Sequence, residues 1–281
     1  YTQFCQALSI NNKKLSPEQF DALNKYAIEM IQKLTKPRVA VNIQNILGVC
    51  NSFNILQNFE NKQVWEVLLD FLLTKKDLYD TNPLFMHYIY KLYIHLTVEG
   101  VKLPQKDLLF DVIQANYRGV VDYIKNHKKH VVSKFEKMVR TNIEQNMTDL
   151  FGAGVQQRQG DEVITLNRGA AHDLMLVNDV TKIDDVIKQK KLPNLGAREL
   201  LVPYTVDIFV GDYAIEVNGP WHYLKDQEGR LKENGYNALK RILLQKAGMK
   251  YIEVPYTLNA KKDHEDNQEI YRYLSDKIKE F

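Results

Sequence analysis

Cysteine is almost absent from this chain of 281 residues: Cys5 and Cys50 are the only two. That excludes a disulfide scaffold and fits a reducing compartment. No Cys/His spacing of the metal-binding kind occurs. Long apolar runs are missing as well. The richest stretch, Val64-Trp65-Glu66-Val67-Leu68-Leu69-Asp70-Phe71-Leu72-Leu73, is broken by acids every few positions. It reads as an amphipathic helix and not as a membrane span. A phosphate-binding glycine loop is lacking too, because Gly152, Gly154 and Gly160 have neither the spacing nor the flanking strand and helix. Nor does one sign of charge dominate: the net is only +3, which does not announce a nucleic-acid binder. What is left, 44% hydrophobic and 26% charged, is the composition of a soluble globular protein long enough for two modest domains. The chain opens on Tyr1, as expected where a targeting peptide has been cleaved or the N-terminus truncated.

Charge is uneven along the chain. Between Arg118 and Arg140 lie seven basic residues (Arg118, Lys125, Lys128, Lys129, Lys134, Lys137, Arg140) against Asp122 and Glu136. A segment of this kind attracts phosphates or forms a solvated helix face. From Leu200 to Phe281 there are twelve Lys/Arg against thirteen Asp/Glu. Bulk attraction to a polyanion therefore has to come from the first half.

That first half reads as successive helices. Ser16-Pro17-Glu18 is a helix start, with Ser as N-cap and Pro at the first helical position. Further helices are expected after Pro37, from about Lys62 to Leu73, and after Pro83. Leu15-Ser16-Pro17-Glu18-Gln19 and Leu103-Pro104-Gln105-Lys106 are alike at an offset of 87 residues, and Pro37 and Pro83 open similar helices at an offset of 46. A helical-hairpin repeat of roughly 40–46 residues follows, in the range of α-solenoids, with a non-repeating bundle as the alternative.

The C-terminal part is richest in information. Val206-Asp207-Ile208-Phe209-Val210 and Tyr213-Ala214-Ile215-Glu216-Val217-Asn218 flank Gly211-Asp212, which predicts a β-hairpin with a two-residue turn. Val210 then pairs with Tyr213, and Asp207 lies opposite Glu216. One face carries Val206, Ile208, Val210, Tyr213, Ile215 and Val217; the other carries Asp207, Phe209, Ala214, Glu216 and Asn218. Opposed carboxylates repel, so Asp207 and Glu216 require a cation, a metal or screening by water on a solvated face. A helix from about Arg230 to Ala247 follows, with Gly248 at its C-terminus. A strand from Met249 to Pro255 and a closing helix from Ile270 to Ile278 complete the pattern.

Val206-Asp207-Ile208, Ala214-Ile215-Glu216-Val217-Asn218-Gly219-Pro220-Trp221-His222-Tyr223, Ala238-Leu239-Lys240-Arg241-Ile242-Leu243-Leu244 and Ile252-Glu253-Val254-Pro255-Tyr256 resemble the RAP domain. This is a small RNA-binding module abundant in apicomplexan parasites and present in mitochondrial FAST-kinase-like proteins. The resemblance implies RNA binding in an organelle, the mitochondrial matrix foremost, with rRNA or organellar transcripts and other ribosomal or RNA-processing proteins as partners. No cofactor and no membrane is implied. RAP domains are in turn similar to the PD-(D/E)XK nuclease fold, in particular very-short-patch repair endonucleases. On that pattern Asp207 and Glu216 match the Mg²⁺ ligands, while the lysine expected two residues after the Glu is Asn218. RAP domains usually have Asp there, so the chain departs from both patterns, and Lys240 is the residue placed to substitute.

The chain is thus expected to be mostly α with a C-terminal α/β domain. Residues 1–140 form a solenoid-like helical repeat, 141–199 a connecting region, and 200–281 a RAP module built strand-strand-helix-strand in the restriction-endonuclease-like manner. The expected function is non-catalytic RNA binding in organellar gene expression, in the mitochondrial ribosome or in RNA maturation. The residues for it are Lys125, Lys128, Lys129, Lys134, Lys137, Arg140, Trp221, His222, Lys240 and Arg241, with Trp221 stacking on an unpaired base. A Mg²⁺-dependent endoribonuclease using Asp207, Glu216 and Lys240 is the alternative, and a protein–protein scaffold the second.

Overall fold

A computed structural model of the chain describes residues 1–36, 39–127, 133–152, 206–211, 213–246, 248–259 and 266–281. The helices are α1 (Thr2–Ile10), α2 (Pro17–Leu34), α3 (Ile43–Ile55), α4 (Lys62–Thr74), α5 (Pro83–Val98), α6 (Pro104–His127), α7 (Lys134–Gln145), α8 (Met147–Phe151), α9 (Gly235–Lys246) and α10 (Asp266–Lys279). The strands are β1 (Ile208–Val210), β2 (Tyr213–Asn218), β3 (Tyr223–Lys225), β4 (Leu231–Glu233) and β5 (Lys250–Pro255). The chain is mostly helical, with a small strand-containing region toward its C-terminus. No described helix is long and apolar enough to cross a membrane. Contacts divide the chain into two compact units: Tyr1–His127 with Asp226–Leu243, and Lys128–Lys225 with Leu244–Phe281. Most of the predicted connecting region lies outside the described residues.

In the first unit, short polar side chains set the helix starts. Ser16 accepts from the Gln19 amide at 3.4 Å while the Gln19 side chain accepts from the Ser16 amide at 2.9 Å. Asn42, Asn61 and Asn82 then cap α3, α4 and α5 by accepting from Gln44, Val64 and Leu84 amides at 3.0, 3.2 and 3.0 Å. Each such cap contributes about 1 kcal/mol. The Asn42 cap explains why α3 starts at Ile43 and leaves Val39 and Val41, expected in the helix, outside it. Helix α1 lacked a sequence signal because its cap position, Tyr1, makes no side-chain cap bond.

Helices α1, α3 and α5 share one ending. Asn12, Gln57 and Gly100 take left-handed φ values of 47°, 57° and 67°. The following amides of Lys13, Asn58 and Val101 bond back to Leu8, Phe53 and Leu96 carbonyls at 3.2, 2.9 and 2.9 Å. Packing alternates: α1 lies on α3 and α3 on α5, while α2 lies on α4 and α4 on α6. Buried polar groups pair across the core. The fully buried Trp65 donates its Nε1–H to the Asn58 carbonyl at 2.6 Å, and Asn58 Nδ2 donates to Asn24 Oδ1 at 2.6 Å. The start of α9 belongs to this unit. At Gly235 a Cβ would run into the Ser9 carbonyl and come within 2.7 Å of Ile55 Cγ2, so only glycine fits there.

In the second unit the sheet order is β1-β2-β5, with β1 antiparallel and β5 parallel to β2. The register pairs Val210 with Tyr213 and Ile208 with Ile215, leaving a two-residue turn, as predicted. Its first residue, Gly211, has φ 57°; Asp212 lies outside the described residues. The apolar face of Ile208, Val210, Ile215, Val217, Ile252 and Val254 packs on Phe135, Val139 and Ile143 of α7, Leu150 of α8, and Ile270 and Leu274 of α10. Burial of each such side chain is worth roughly 1.5–3 kcal/mol. Helix α7, grouped by the sequence with the helical repeat, is thus part of the strand-containing unit. The other face is not the solvated hairpin surface considered above. Because β2 is the central strand, Ala214, Glu216 and Asn218 are 0%, 4% and 1% exposed.

Arg140 ties α7 to the sheet. Its Nε and Nη2 donate to Glu136 Oε1 at 2.9 and 2.6 Å, and Nη2 also donates to the Asp207 carbonyl. Both charged side chains are buried. Removing one partner of a buried pair typically costs about 3–5 kcal/mol, while replacing both costs far less. Arg140→Met is therefore expected to lower the unfolding free energy by about 3 kcal/mol or more in a urea melt, and Glu136→Leu/Arg140→Met to restore most of it. A single variant with a wild-type midpoint would contradict the clamp.

Candidate nucleic-acid interface

The register assigns the two hairpin acids opposed positions, in a setting unlike an open metal site. Extending the β1/β2 pairing by one residue sets Asp207 opposite Glu216. The Asp207 Oδ2 accepts the Val217 amide at 2.8 Å, which stitches the residue before β1 onto the central strand. Glu216 is buried, and across the parallel pair it sits in register with Glu253 of β5. Among the described residues, no group of three or more His, Cys, Asp or Glu is placed to hold a metal ion. Asn218, at the position where a nuclease of this pattern has its lysine, is buried and donates Nδ2–H to Glu253 Oε1 at 3.0 Å. The Tyr223 hydroxyl donates to the same oxygen, and Tyr273 donates to the Glu253 carbonyl at 2.6 Å. Burial first, then the hydrogen bond to Glu253 and its charge, push the Tyr223 phenol far above its ordinary value, so it stays a donor. Burial and the same carboxylate push Tyr273 up to about 12.

Glu253 is thus the hub of a network that sequence reasoning missed. The signal was an acid between Ile252 and Val254 in a strand, on the face that carries Glu216 and Asn218. Between Asn218 and Tyr223 runs the short turn Pro220–His222, closed by the His222 amide on the Gly219 carbonyl at 3.1 Å. At its tip Trp221 is 90% exposed, and His222 beside it is half-buried. The Tyr223 ring meets Tyr256 at 5.8 Å between centroids.

The remaining cations sort by burial and partner. Lys134 and Lys137 stand exposed on α7. Arg140, counted above among the RNA-facing cations, is instead buried, because its guanidinium serves Glu136 and Asp207. Lys125 lies on α6 with its side chain outside the described residues, and Lys128 and Lys129 lie outside them altogether. Arg241 is engaged within the first unit, its Nε and Nη2 both donating to Glu233 Oε2 at 3.1 Å. Lys240, in the same unit, faces Lys91 of α5. Burial and then the Lys240 charge push the Lys91 ammonium down to about 8, and burial with the Lys91 charge pushes His95 down to about 3.

Residues 215–274 match the RAP domain family. The chain carries a RAP domain. The matched interval takes in Glu216, Asn218, Trp221 and Glu253 and leaves Asp207 and α7 outside it. A RAP domain points to an RNA-binding role. No curated protein and no solved structure matches the chain at a significant level.

The Lys91 environment predicts a pH signature for the helical unit. With the folded value near 8 and the ordinary value at 10.5, the unfolded chain binds more protons between those limits. Stability gained from Lys91 deprotonation therefore rises as pH climbs through that window. In urea melts the wild type should gain on Lys91→Met from low to high pH across it; a difference constant with pH would contradict the depressed Lys91 ammonium.

Proposed function

We propose that this chain is an RNA-binding protein of mitochondrial gene expression, acting without catalysis in the mitochondrial ribosome or in RNA maturation. The RAP domain at residues 215–274 is the observation that carries this reading. The organellar setting rests on where RAP domains are found, and the two cysteines agree with a reducing compartment. Both are free and buried, and burial pushes the Cys50 thiol up to about 12. A chain this weakly basic suits a partner assembly with protein as well as RNA contacts.

The helical part we read as a repeat of solenoid type. Its support is the recurrence of the left-handed helix ending at positions 12, 57 and 100, and of the second-layer helix starts at 17, 62 and 104. Both series step by 42–45 residues, inside the repeat length inferred from the prolines. The alternation of α1, α3, α5 with α2, α4, α6 is what such stacking requires. The RAP module we read as an endonuclease-like frame, supported by the opposition of Asp207 and Glu216 and by the parallel β2–β5 pair. A Mg²⁺-dependent endoribonuclease would use the same pair. Against it stands Asn218, whose side chain is committed to Glu253 and supplies no positive charge.

Salt titration of RNA binding tests the proposal. Single-stranded contacts release counterions with a slope of about −0.7 per phosphate neutralised, so Lys134→Glu with Lys137→Glu should flatten the slope by about 1.4. An unchanged slope removes α7 from the interface. The RNA recovered from the assay with Mg²⁺ or Mn²⁺ present should be intact; cleavage abolished by Glu216→Gln would make the chain a nuclease.

A further inference from the structure

The chain has two tryptophans with opposite fates. Trp65 is fully buried, while Trp221 keeps 90% of its surface in solvent. An indole so exposed would ordinarily sit on a mobile loop. Here the loop is anchored at both ends to one carboxylate: Asn218 before the turn and Tyr223 after it both donate to Glu253 Oε1. The strand bearing that carboxylate is held in turn by Tyr273 on the Glu253 carbonyl. Pro220 fixes one backbone angle inside the turn, and the His222 amide closes it. Few backbone torsions of the turn are left free, so the position from which the ring projects is set in advance of any ligand, which lowers the ordering cost of binding.

Resting on the RNA-binding reading above, we propose that Glu253 is the positioning residue of a base-stacking platform: the Asn218–Glu253–Tyr223 clasp holds Trp221 ready to stack on an unpaired RNA base. Three features favour a base over a protein side chain. Protein hot spots sit in the middle of a packed apolar patch. Trp221 instead has Pro220, His222 and the exposed Lys225 as chain neighbours. Among the described residues of this unit, Phe281 is the only other large apolar side chain so exposed, and it lies against Tyr213. A single ring with a lysine four residues along the chain suits a base with a flanking phosphate, and every base offers a π-face. A duplex keeps its bases inside the stack, so the platform selects single strands, loops or bulges.

The test uses the full chain, a twelve-nucleotide oligouridylate, and the same strand annealed to its complement. Trp221→Ala should weaken single-strand binding about tenfold, Trp221→Phe should retain most of it, and duplex binding should hardly change. Adding the single strand should shield Trp221 from acrylamide, while the buried Trp65 gives a constant background. Tyr223→Phe and Asn218→Ala each cut one tie. Each should lower the emission anisotropy of Trp221 and weaken single-strand binding several-fold, measured well below the melting midpoint of each variant. Trp221→Ala with wild-type affinity overturns the platform and makes the ring a protein contact, leaving RNA binding standing. Equal losses for single strand and duplex overturn the preference for unpaired bases. Unchanged anisotropy in both clasp variants overturns the positioning role of Glu253. A wild-type chain that binds neither RNA removes the RNA-binding reading itself, with the platform.

Discussion

A central strand buried on both faces has nowhere to place a polar side chain except against a partner. Strand β2 is such a strand, and it carries Glu216 and Asn218 on the face away from the apolar core. Most of the second unit's polar architecture surrounds that strand. The Asp207 carboxylate takes the Val217 amide, and Arg140 takes the Asp207 carbonyl while answering Glu136. On the other side of the strand, Asn218 reaches Glu253, and Glu253 collects Tyr223. An unsatisfied group at any of these positions would carry the full desolvation cost, so the network holds together as a set.

The hairpin was legible from residues alone, because a Gly-Asp turn between two alternating segments admits one register and sends Ile208, Val210, Ile215 and Val217 to one face. Helix starts were legible where a capping side chain marked them, as at Ser16. What the sequence left open was which surface each periodic element would meet. Helix α7 shows the same apolar spacing whether it extends a helical array or covers a sheet, and only tertiary contact placed Phe135, Val139 and Ile143 under the strands. Arg140 looked like part of a basic segment, although its i, i+4 spacing from Glu136 already allowed the pair that buries it. Charge counting treats every arginine as surface; burial decides otherwise.

Asn218 changed meaning in the same way. Compared with a nuclease pattern it is a missing lysine. Compared with its neighbours in space it is a donor to a buried-edge carboxylate, and an Asp at this position would set a second negative charge against Glu253. Asn218 thus supplies a donor to Glu253 where an acid would repel it. In the helical unit the recurrence of left-handed endings at Asn12, Gln57 and Gly100 could not be read from residue identity, since only one of the three is glycine.

The central claim is that an organellar RNA meets this chain at the Trp221 turn and at the exposed lysines of α7. Ultraviolet crosslinking in intact mitochondria, followed by mass spectrometry of nucleotide-bearing peptides, tests it most directly. The account predicts adducts on peptides containing Trp221 and on those containing Lys134 or Lys137, with the attached RNA distinguishing ribosome from transcript. A chain absent from the organelle, or present there without an RNA adduct on either segment, would contradict it.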